Sequence, residues 1–477
     1  MALDVFGLRD RVVGEYREYF QSFVNIDDQQ IAEFVEQELR SGTLWPDAVL
    51  QLNPAFEPGP KLKDLVASGN LRAETARFFG PELQLHRHQN EALERSRTGR
   101  PYIVSTGTGS GKSLTYLIPI ADHVFRHEPE RHAVRAVIVY PMNALINSQL
   151  EALRRFQKDN WPTCPLRFAE YTGQTTETER NDIIANPPHV LLTNYVMLEY
   201  LLIRPHERTL LQQATRELQF LVMDELHVYR GRQGADVAML MRRVSQRAGN
   251  RDLQFVGTSA TLATQGNRDQ RKARIADVGS KLFGVTVPPE NVVDETLRPR
   301  CEIPAPKTRD ELRIAVQTTP PQPNLESVTR HPLAAWLEKA FGLKDEGGRL
   351  VRREPVTFVQ GLNVLESETG LSRTLCDERL KGLLEAGAEA MTETHDPVFA
   401  FRLHQFLASG GSVFATLESP GDGRLLTTEG QYAAAGQDGA RLLFPLAFCR
   451  ECGQEYYLVT LHEEAGRRFM QPRSPLL

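Results

Sequence analysis

The chain has few cysteines and no long apolar run. Only five of its 477 residues are cysteine, and Cys164, Cys301 and Cys376 stand alone in the sequence. This usage excludes the disulfide framework of a small secreted protein and indicates a reducing compartment. No apolar stretch reaches the roughly 18 residues of a membrane span. Because the N-terminal residues are also charged rather than apolar, we expect a cytoplasmic protein without a membrane segment.

An excess of positive charge is absent as well. The formal net charge is −5, from 56 Lys and Arg against 61 Asp and Glu. The surface as a whole therefore does not attract nucleic acid, and any binding of nucleic acid needs a local groove. Internal repeats and low-complexity tracts are missing too. The length exceeds what one hydrophobic core usually organises and predicts several domains.

The distribution of apolar, proline and glycine residues predicts that the chain has four segments. Residues 1–80 are predicted to form a helical module, and residues 81–295 a larger domain. Residues 296–325 are rich in proline and polar residues, which predicts a linker. Residues 326–477 are predicted to form an accessory region that combines helices with strands.

Residues 81–295 alternate short apolar runs with helical patterns. The runs are YIVST, AVIVY, VLLTN, FLVMD and LQFVGTS, and each ends where polar or glycine-rich residues begin. This alternation predicts an α/β fold with a parallel sheet and crossover helices. In such sheets ligands bind at the carboxyl ends of the strands. The polar motifs that follow these runs are therefore candidates for a binding site.

The first run is followed by a glycine-rich loop and a helical pattern. The members of the loop are Thr106, Gly107, Thr108, Gly109, Ser110, Gly111, Lys112 and Ser113. A strand, a glycine-rich loop and a helix in this order point backbone N–H groups and a helix N-terminus at an anion. We expect Lys112 to contact the β- and γ-phosphates of ATP and Ser113 to bind Mg²⁺. The alternative is an ordinary glycine turn.

Two further polar motifs follow later runs. FLVMD ends at Asp224, and Glu225 comes next. We expect Asp224 to hold Mg²⁺ through water, and Glu225 to orient and deprotonate the attacking water. Acidic residues also cap helices at such turns, but the phosphate-binding loop upstream favours the catalytic interpretation. Ser259 and Thr261 follow the next strand, where a Ser-x-Thr pair could instead cap a helix.

The order Gly-Lys-Ser, Asp-Glu-x-His and Ser-Ala-Thr resembles motifs I, II and III of the DExH helicases of superfamily 2. The resemblance implies a RecA-like lobe that couples ATP hydrolysis to nucleic-acid binding. It also implies a catalytic role for His227, and coupling of hydrolysis to strand binding through Ser259 and Thr261. Upstream, a segment similar to the Q motif contains Gln89, which the resemblance assigns to the adenine of ATP.

Other segments are similar to helicase motifs Ia, Ic and Ib, whose loops grip a sugar-phosphate backbone. The resemblance predicts sequence-independent contacts with nucleic acid from Pro141, Asn143, Thr172, Gly173, Thr193, Asn194 and Arg230. Residues 227–231 are similar to a segment of the large Lhr-like bacterial helicases, many of which act in DNA repair or phage-defence operons. This similarity favours DNA over RNA. For Arg230 the alternative is a solvated surface position.

One helicase feature is missing from the sequence. Helicases carry an arginine finger in a Q-x-x-G-R-x-x-R motif of a second RecA-like lobe, and residues 266–477 contain no such motif. We therefore expect either the N-terminal piece of a longer polypeptide or one half of a split enzyme. The predicted function is an ATP- and Mg²⁺-dependent helicase or translocase lobe. An ATP-regulated nucleic-acid-binding or scaffold subunit without translocation is the alternative, and a P-loop kinase comes third.

Cys449 and Cys452 form a C-x-x-C pair with the spacing of half a zinc knuckle. A structural Zn²⁺ site needs two more ligands. His404, His462 or residues outside this chain are candidates. Two unliganded thiols in a turn are the alternative, because the pair is only half of a site.

Overall fold

The computed structural model divides the chain into two compact units. One unit is residues 55–298, called the sheet unit below, and the other combines residues 1–54 with 299–477 and is called the split unit. The structure describes residues 4–22, 25–42, 44–107, 109–204, 217–250, 252–260, 266–393, 396–408, 411–420, 423–431, 433–436, 439–464 and 466–473.

The sheet unit is built on a parallel sheet that has seven strands in the described part of the chain. The strands are β1 Tyr102–Ser105, β2 Ala136–Tyr140, β3 Phe168–Tyr171, β4 Val190–Asn194, β5 Phe220–Met223, β6 Gln254–Ser259 and β7 Val292–Asp294. Their order across the sheet is β7-β1-β6-β5-β2-β4-β3, and every neighbouring pair is parallel. The predicted α/β fold with a parallel sheet is confirmed.

Helices accompany these strands, as parallel pairing requires. The main helices are α1 Arg87–Ser96, α2 Leu114–Arg126, α3 Asn143–Asn160, α4 Glu177–Ala185, α5 Tyr195–Ile203, α6 Gly231–Ala248 and α7 Arg268–Phe283. The shorter elements are helices Leu62–Ala67 and Ala73–Phe79, 3-10 turns Leu226–Val228 and Pro289–Asn291, and the strand pairs Ala55–Phe56 with Leu297–Arg298 and Pro58–Lys61 with Gln84–His86.

Apolar cores cover both faces of the parallel sheet. All five residues of β2 are buried. Because side chains alternate between the faces of a strand, Val137 and Val139 lie in one apolar cluster, whereas Ile138 and Tyr140 lie in another. A strand buried on both faces needs a continuous apolar run. This requirement explains why AVIVY and FLVMD lack the polar alternation of a surface strand.

The split unit combines helices with short antiparallel strands. Its helical segments are Val5–Ser22, Gln29–Arg40, Arg309–Gln317, Leu325–Thr329, Pro332–Leu337, the π-helical Glu338–Gly342, Phe358–Thr369 and Arg373–Glu389. Its strands are Val49–Asn53, Leu343–Asp345, Leu350–Arg352, Val356–Thr357, Ala400–His404, Phe414–Ala415, Leu426–Thr427, Ala433–Gly436, Gly439–Leu442, Phe444–Phe448, Glu455–Tyr457, Val459–Glu464 and Arg467–Pro472. Among the described helices of both units, none combines the length and apolarity needed to cross a membrane.

The unit boundaries differ from the predicted ones. The predicted 1–80 module is divided, because residues 55–80 cluster with the sheet unit. The predicted 296–325 linker contains helix Arg309–Gln317, whose Leu312 and Val316 are 3% and 0% exposed and belong to the core of the split unit. The prolines in this segment therefore flank an amphipathic helix that packs into a core, and the linker prediction is wrong.

Candidate ATP-binding site

Backbone conformation and side-chain contacts hold the glycine-rich loop that follows β1. The φ angles of Gly109 and Gly111 are +80° and +69°, in the left-handed region that favours glycine. At Gly111 a Cβ atom would lie 2.4 Å from Nε2 of Gln89, so a larger residue would displace the Gln89 amide from the loop. The hydroxyls of Thr106 and Ser110 lie 2.6 Å apart and are buried. These contacts hold Thr106 against Ser110 and Gln89 against Gly111.

Lys112 lies at the end of this loop, and its side chain is only 10% exposed. Its Nζ donates a hydrogen bond to the carbonyl oxygen of Thr106 at 3.2 Å and lies 3.7 Å from Oε1 of Glu225. Ser113 is the N-cap residue of α2. A helix N-terminus and a lysine on the same side of a loop form an anion-binding arrangement. Thr108, which was predicted to belong to this loop, lies outside the described residues.

Asp224 follows β5 and is 7% exposed. The hydroxyl of Thr258 on β6 donates a hydrogen bond to Oδ1 of Asp224 and accepts one from the Glu225 N–H at 3.2 Å. Burial raises the pKa of Asp224 to about 6, although the Thr258 hydrogen bond and the Lys112 charge oppose this. A nearby cation favours the ionised form of such a buried carboxylate. Asp224 and the Ser113 hydroxyl supply the oxygen donors that Mg²⁺ prefers, so the residues present fit this ion.

Glu225 has a left-handed backbone, with φ 54° and ψ 54°, which is rare for a residue other than glycine. Its Oε2 lies 3.2 Å from Nδ1 of His227, and the same nitrogen lies 3.3 Å from the hydroxyl of Ser259. Three predicted site residues from two strand ends therefore meet in one cluster. Strained backbone is concentrated at functional sites in proteins. Thr261 lies outside the described residues.

Gln89 is 2% exposed and holds the glycine-rich loop. Its Oε1 accepts a hydrogen bond from His86 N–H at 2.7 Å, and its Nε2 donates to the carbonyl oxygens of Ser110 and Gly111 at 3.3 and 3.0 Å. The predicted contact with adenine stays a prediction. The sequence did not single out His88, whose Nε2 lies 3.0 Å from the Ser110 oxygen. Burial lowers the pKa of His88 to about 4, so the ring is neutral near pH 7.

Glu295 and Thr258 are site residues that sequence reasoning missed. Oε2 of Glu295, which follows β7, accepts a hydrogen bond from the Gly107 N–H at 3.0 Å. A carboxylate thus engages one of the loop donors that an anionic ligand would use. No motif marks Glu295, and β7 has only three residues. For Thr258, the available signal was its position directly before Ser259 at the end of an apolar run.

The loops that follow β2 and β4 meet at the carboxyl edge of the sheet. Nδ2 of Asn194 donates a hydrogen bond to Oδ1 of Asn143 at 2.8 Å, which joins two predicted strand-binding loops. Pro141 lies next to this contact and is partly exposed. Gly173, after β3, and Arg230, at the start of α6, are exposed. These five residues remain accessible for the predicted contacts with a nucleic-acid strand.

The hydroxyls of Thr172 and Thr193 point inward instead. Both residues are 0% exposed. Thr193 donates to the carbonyl oxygen of Tyr171 at 2.7 Å, and the Thr172 oxygen accepts a hydrogen bond from the Gln174 N–H at 3.2 Å. The prediction that these side chains contact a strand therefore disagrees with the structure. Their hydroxyls satisfy backbone groups and so fix the loops that carry the accessible residues.

Cys449 and Cys452 flank a turn between two antiparallel strands of the split unit. Hydrogen bonds from the backbone of Cys452 and of Glu451 lower the pKa of Cys449. This shift favours the thiolate form that metals bind. In the described part of the chain no third His, Cys, Asp or Glu completes a metal-binding group. Neither His404 nor His462 joins the pair, and zinc binding stays a prediction.

Comparison with known proteins places this site in a family. Residues 86–269 match the family described as DEAD/DEAH box helicase. The chain carries a DEAD/DEAH box helicase domain. The matched segment begins at His86, the last residue of the short strand Gln84–His86, and includes β1 to β6. It contains Gln89, the glycine-rich loop, Asp224, Glu225 and Ser259.

Curated relatives share this helicase domain with the chain. The Druantia protein DruE of Escherichia coli is 25% identical over 365 residues, which cover 52% of this chain and 20% of DruE. The ATP-dependent helicase Lhr-Core of Methanothermobacter thermautotrophicus is 29% identical over 185 residues, or 36% of this chain and 21% of Lhr-Core. The chain thus spans about a fifth of the length of these relatives.

Solved helicase structures are also similar to the chain. A crystal structure of the helicase MrfA bound to DNA is 25% identical, with a TM-score of 0.42, and the likeness covers 54% of this chain and 34% of MrfA. The helicase Lhr of Mycobacterium smegmatis, bound to ssDNA and AMP-PNP, is 22% identical with a TM-score of 0.38, covering 50% of this chain and 28% of Lhr.

Proposed function

We propose that the protein is the ATP-binding lobe of an ATP-dependent nucleic-acid helicase or translocase. The observation that carries the proposal is the convergence of Lys112, Glu225 and Asp224 at the carboxyl ends of β1 and β5. Lys112 Nζ lies 3.7 Å from Glu225 Oε1, and both side chains are largely buried. Phosphoryl transfer depends mainly on such positioning and charge.

Each residue has one task in this mechanism. The N–H groups of the glycine-rich loop and Lys112 bind the β- and γ-phosphates of ATP. Glu225 accepts a proton from the attacking water, and His227, 3.2 Å from Glu225, orients its carboxylate. Ser113 and Asp224 would hold Mg²⁺, which neutralises charge on the phosphates when it is bound.

The strand-binding surface favours DNA. Next to the joined Asn143 and Asn194 side chains, Met142 and Val196 are 59% and 40% exposed. The nearby threonine hydroxyls are internal, so this surface offers amides and apolar groups to the sugars. A ribose 2′-hydroxyl would exchange water for an amide partner there with little net gain, whereas deoxyribose has no such group to desolvate. Arg230 supplies an exposed cation for the phosphates.

A second RecA-like lobe is the partner that this mechanism requires. An arginine finger is worth roughly 10³–10⁵ in the rate of related phosphoryl transfers. We expect that lobe in the remainder of a longer chain or in a separate subunit. Residues 1–477 alone then bind ATP, hydrolyse it slowly and do not unwind duplexes. The resemblance to Lhr-like helicases supports a role in DNA repair or phage defence.

Calorimetric titration with ATP tests the proposal through Lys112→Ala. This variant is expected to lose ATP binding at the glycine-rich loop, because it removes the charge that contacts the phosphates there. Lys158→Ala, which changes an exposed lysine at the end of α3, is the matched control and should bind ATP normally. Unchanged ATP affinity in the Lys112 variant would overturn the assignment of the phosphate loop. Unwinding by the chain alone in a strand-displacement assay would disprove the need for a second lobe.

A further inference from the structure

A cavity of about 590 Å³ opens at the amino-terminal edge of the parallel sheet. Its walls come from the end of α2 and from the residues that precede β2, β5 and β6. The helicase site lies at the opposite, carboxyl edge of the same strands. The strands that border the cavity, β2, β5 and β6, have four to six residues. At about 3.3 Å per residue, the two edges of the sheet are roughly 13–20 Å apart. The cavity is therefore separate from the phosphate loop.

Three guanidinium groups line this cavity, from Arg126, Arg131 and Arg135. Arg131 and Arg135 share one carboxylate, that of Glu217, and the Arg135 contact measures 2.8 Å. Arg126 pairs with Asp122 in its own helix. Arg131 also lies 3.4 Å from Glu128, which lines the cavity as well, so each of the three arginines is paired with a carboxylate.

Arg135 is the least solvated of the three arginines. Its side chain is 12% exposed, compared with 57% for Arg131 and 40% for Arg126. The Nε of Arg135 is buried and has no hydrogen-bond partner in the described part of the chain. A buried donor without an acceptor is unfavourable, and more so on a charged group. An oxyanion in the cavity would supply the missing acceptor.

The remaining walls include imidazole rings, side-chain amides and the carboxylate of Glu128. The ring centroids of His123 and His127 are 4.5 Å apart. Burial lowers the pKa of His123 to about 4, so this ring is uncharged near pH 7. Neutral aromatic rings stack on planar ligands. The side-chain amides of Gln219 and Asn250 also line the cavity and can donate to or accept from a heterocyclic base.

We propose that this cavity is a second ligand site, which binds a nucleotide with its phosphates on Arg126, Arg131 and Arg135. The guanidinium fork matches the geometry of phosphate oxygens. The volume lies within the range of about 300–1,000 Å³ that is usual for small-molecule sites. The arginines would bind the phosphates, with Nε of Arg135 as the donor that lacks a partner, and the rings and amides would contact the base. Binding here needs neither ATP turnover nor a nucleic-acid strand.

Calorimetry with ADP on four proteins tests the second site. The wild-type chain is expected to bind two ADP, Lys112→Ala one, Arg135→Gln one, and the double variant none. Loss of all ADP binding in Lys112→Ala would overturn the second site. ADP binding in the double variant at wild-type affinity would also overturn it. If instead Lys112→Ala still binds two ADP, the assignment of the phosphate loop fails while the second site stands.

Because Arg135 is nearly buried, the Arg135→Gln variant could lose ADP binding through misfolding. A second substitution, at an exposed arginine of the cavity, tests the site without this problem. Arg131→Gln changes an arginine that is 57% exposed and, in the Lys112→Ala background, should weaken ADP at least about tenfold. Arg155→Gln, at a position 71% exposed on α3, is the matched control and should have no effect. Inorganic triphosphate should compete with ADP in the Lys112→Ala background. Failure to compete, or an unchanged affinity in Arg131→Gln, would refute recognition through the phosphates.

Discussion

The sheet unit and the split unit differ in how their strands are paired and buried. In the sheet unit, neighbouring strands are parallel, and β2 and β5 are buried at every position. In the split unit, strands of two to six residues pair antiparallel, and Val459–Glu464 is exposed along most of its length. A parallel sheet is covered on both faces, whereas an antiparallel sheet can leave one face in water.

This difference explains where the candidate chemistry lies. In a parallel sheet all carboxyl ends share one edge, so Lys112, Glu225 and Ser259 come together although they are far apart in the sequence. Antiparallel neighbours place their carboxyl ends at opposite edges and do not collect motifs in this way. The two units should therefore respond differently to substitution, with catalysis sensitive in the sheet unit only. The predictions below test that division.

The largest effect is expected from Glu225→Gln in the sheet unit. The amide can position water but cannot accept its proton, so hydrolysis should slow by about 10²–10⁴-fold while ATP binding persists. Single-turnover hydrolysis of labelled ATP, with a DNA strand present, measures this. Glu151→Gln, at a carboxylate that is 75% exposed on α3, is the control. A wild-type rate in the Glu225 variant would show that another group is the base.

Leu380→Ala in the split unit should lower the free energy of unfolding without changing nucleotide binding. Leu380 is 0% exposed in helix Arg373–Glu389, and its truncation should lower the free energy of unfolding by about 2–5 kcal/mol. The affinity of the folded variant for ATP should not change. Leu221→Ala, equally buried in β5, is the matched change in the sheet unit. Urea unfolding and ATP titration compare the two, and weakened ATP binding by a folded Leu380 variant would contradict the division.

A smaller, pH-dependent effect is expected from His189 in the sheet unit. Its Nδ1 lies 3.0 Å from the Arg167 N–H, from which it accepts, and its Nε2 lies 3.0 Å from the Arg131 carbonyl oxygen. Burial is the largest cause that lowers the pKa of His189 to about 4. Since the folded pKa lies below the unfolded value of about 6.5, protons bind the unfolded chain more readily. The contribution of His189 is full above pH 6.5 and is lost as the pH falls towards 4.

Urea unfolding at pH 7 and pH 4.5 measures this dependence. The wild-type chain should lose on the order of 1–3 kcal/mol through His189 over this interval. In His189→Gln, which has no titrating ring, the loss should be smaller by that amount. An identical pH dependence in the two proteins would rule out a neutral, buried His189 as its source.

The smallest effect on the helicase domain is expected from Cys449→Ser in the split unit. We predict one Zn²⁺ per chain through Cys449 and Cys452, because the knuckle spacing and the lowered pKa of Cys449 favour thiolate ligation. The variant should lose the metal and keep its ATP affinity. Elemental analysis of both proteins decides the matter. Wild-type protein without zinc, or a variant that retains it, would refute the assignment.

The sequence predicted the strands that are apolar throughout and missed those that are not. The five predicted runs correspond to β1, β2, β4, β5 and β6, because strands buried on both faces are continuous apolar runs. β3 has the sequence FAEY with three half-buried residues, and β7 has three residues in all. Neither strand has enough length, or a regular enough apolar pattern, to be distinguished from a loop in the sequence.

The site was predictable where its residues are contiguous. The glycine-rich loop and the Asp224–Glu225 pair follow single strands, so local spacing revealed them. Glu295 reaches the loop only through the pairing of β7 with β1, which the sequence does not show. Thr172 and Thr193 were assigned to the surface by motif, but the direction of a hydroxyl depends on the turn around it. Such directions come from tertiary packing rather than from spacing.

The left-handed backbone of Glu225 lowers the stability of the fold at a position whose carboxylate is proposed to serve ATP hydrolysis. A non-glycine residue in this conformation costs on the order of 1–3 kcal/mol, which the surrounding structure must offset. Glycine would adopt the same backbone without strain, and asparagine with little, yet neither carries a carboxylate. A population selected only for thermal stability should therefore drift away from glutamate here. Retention of glutamate at this residue across natural variants would be a record of selection for ATP hydrolysis.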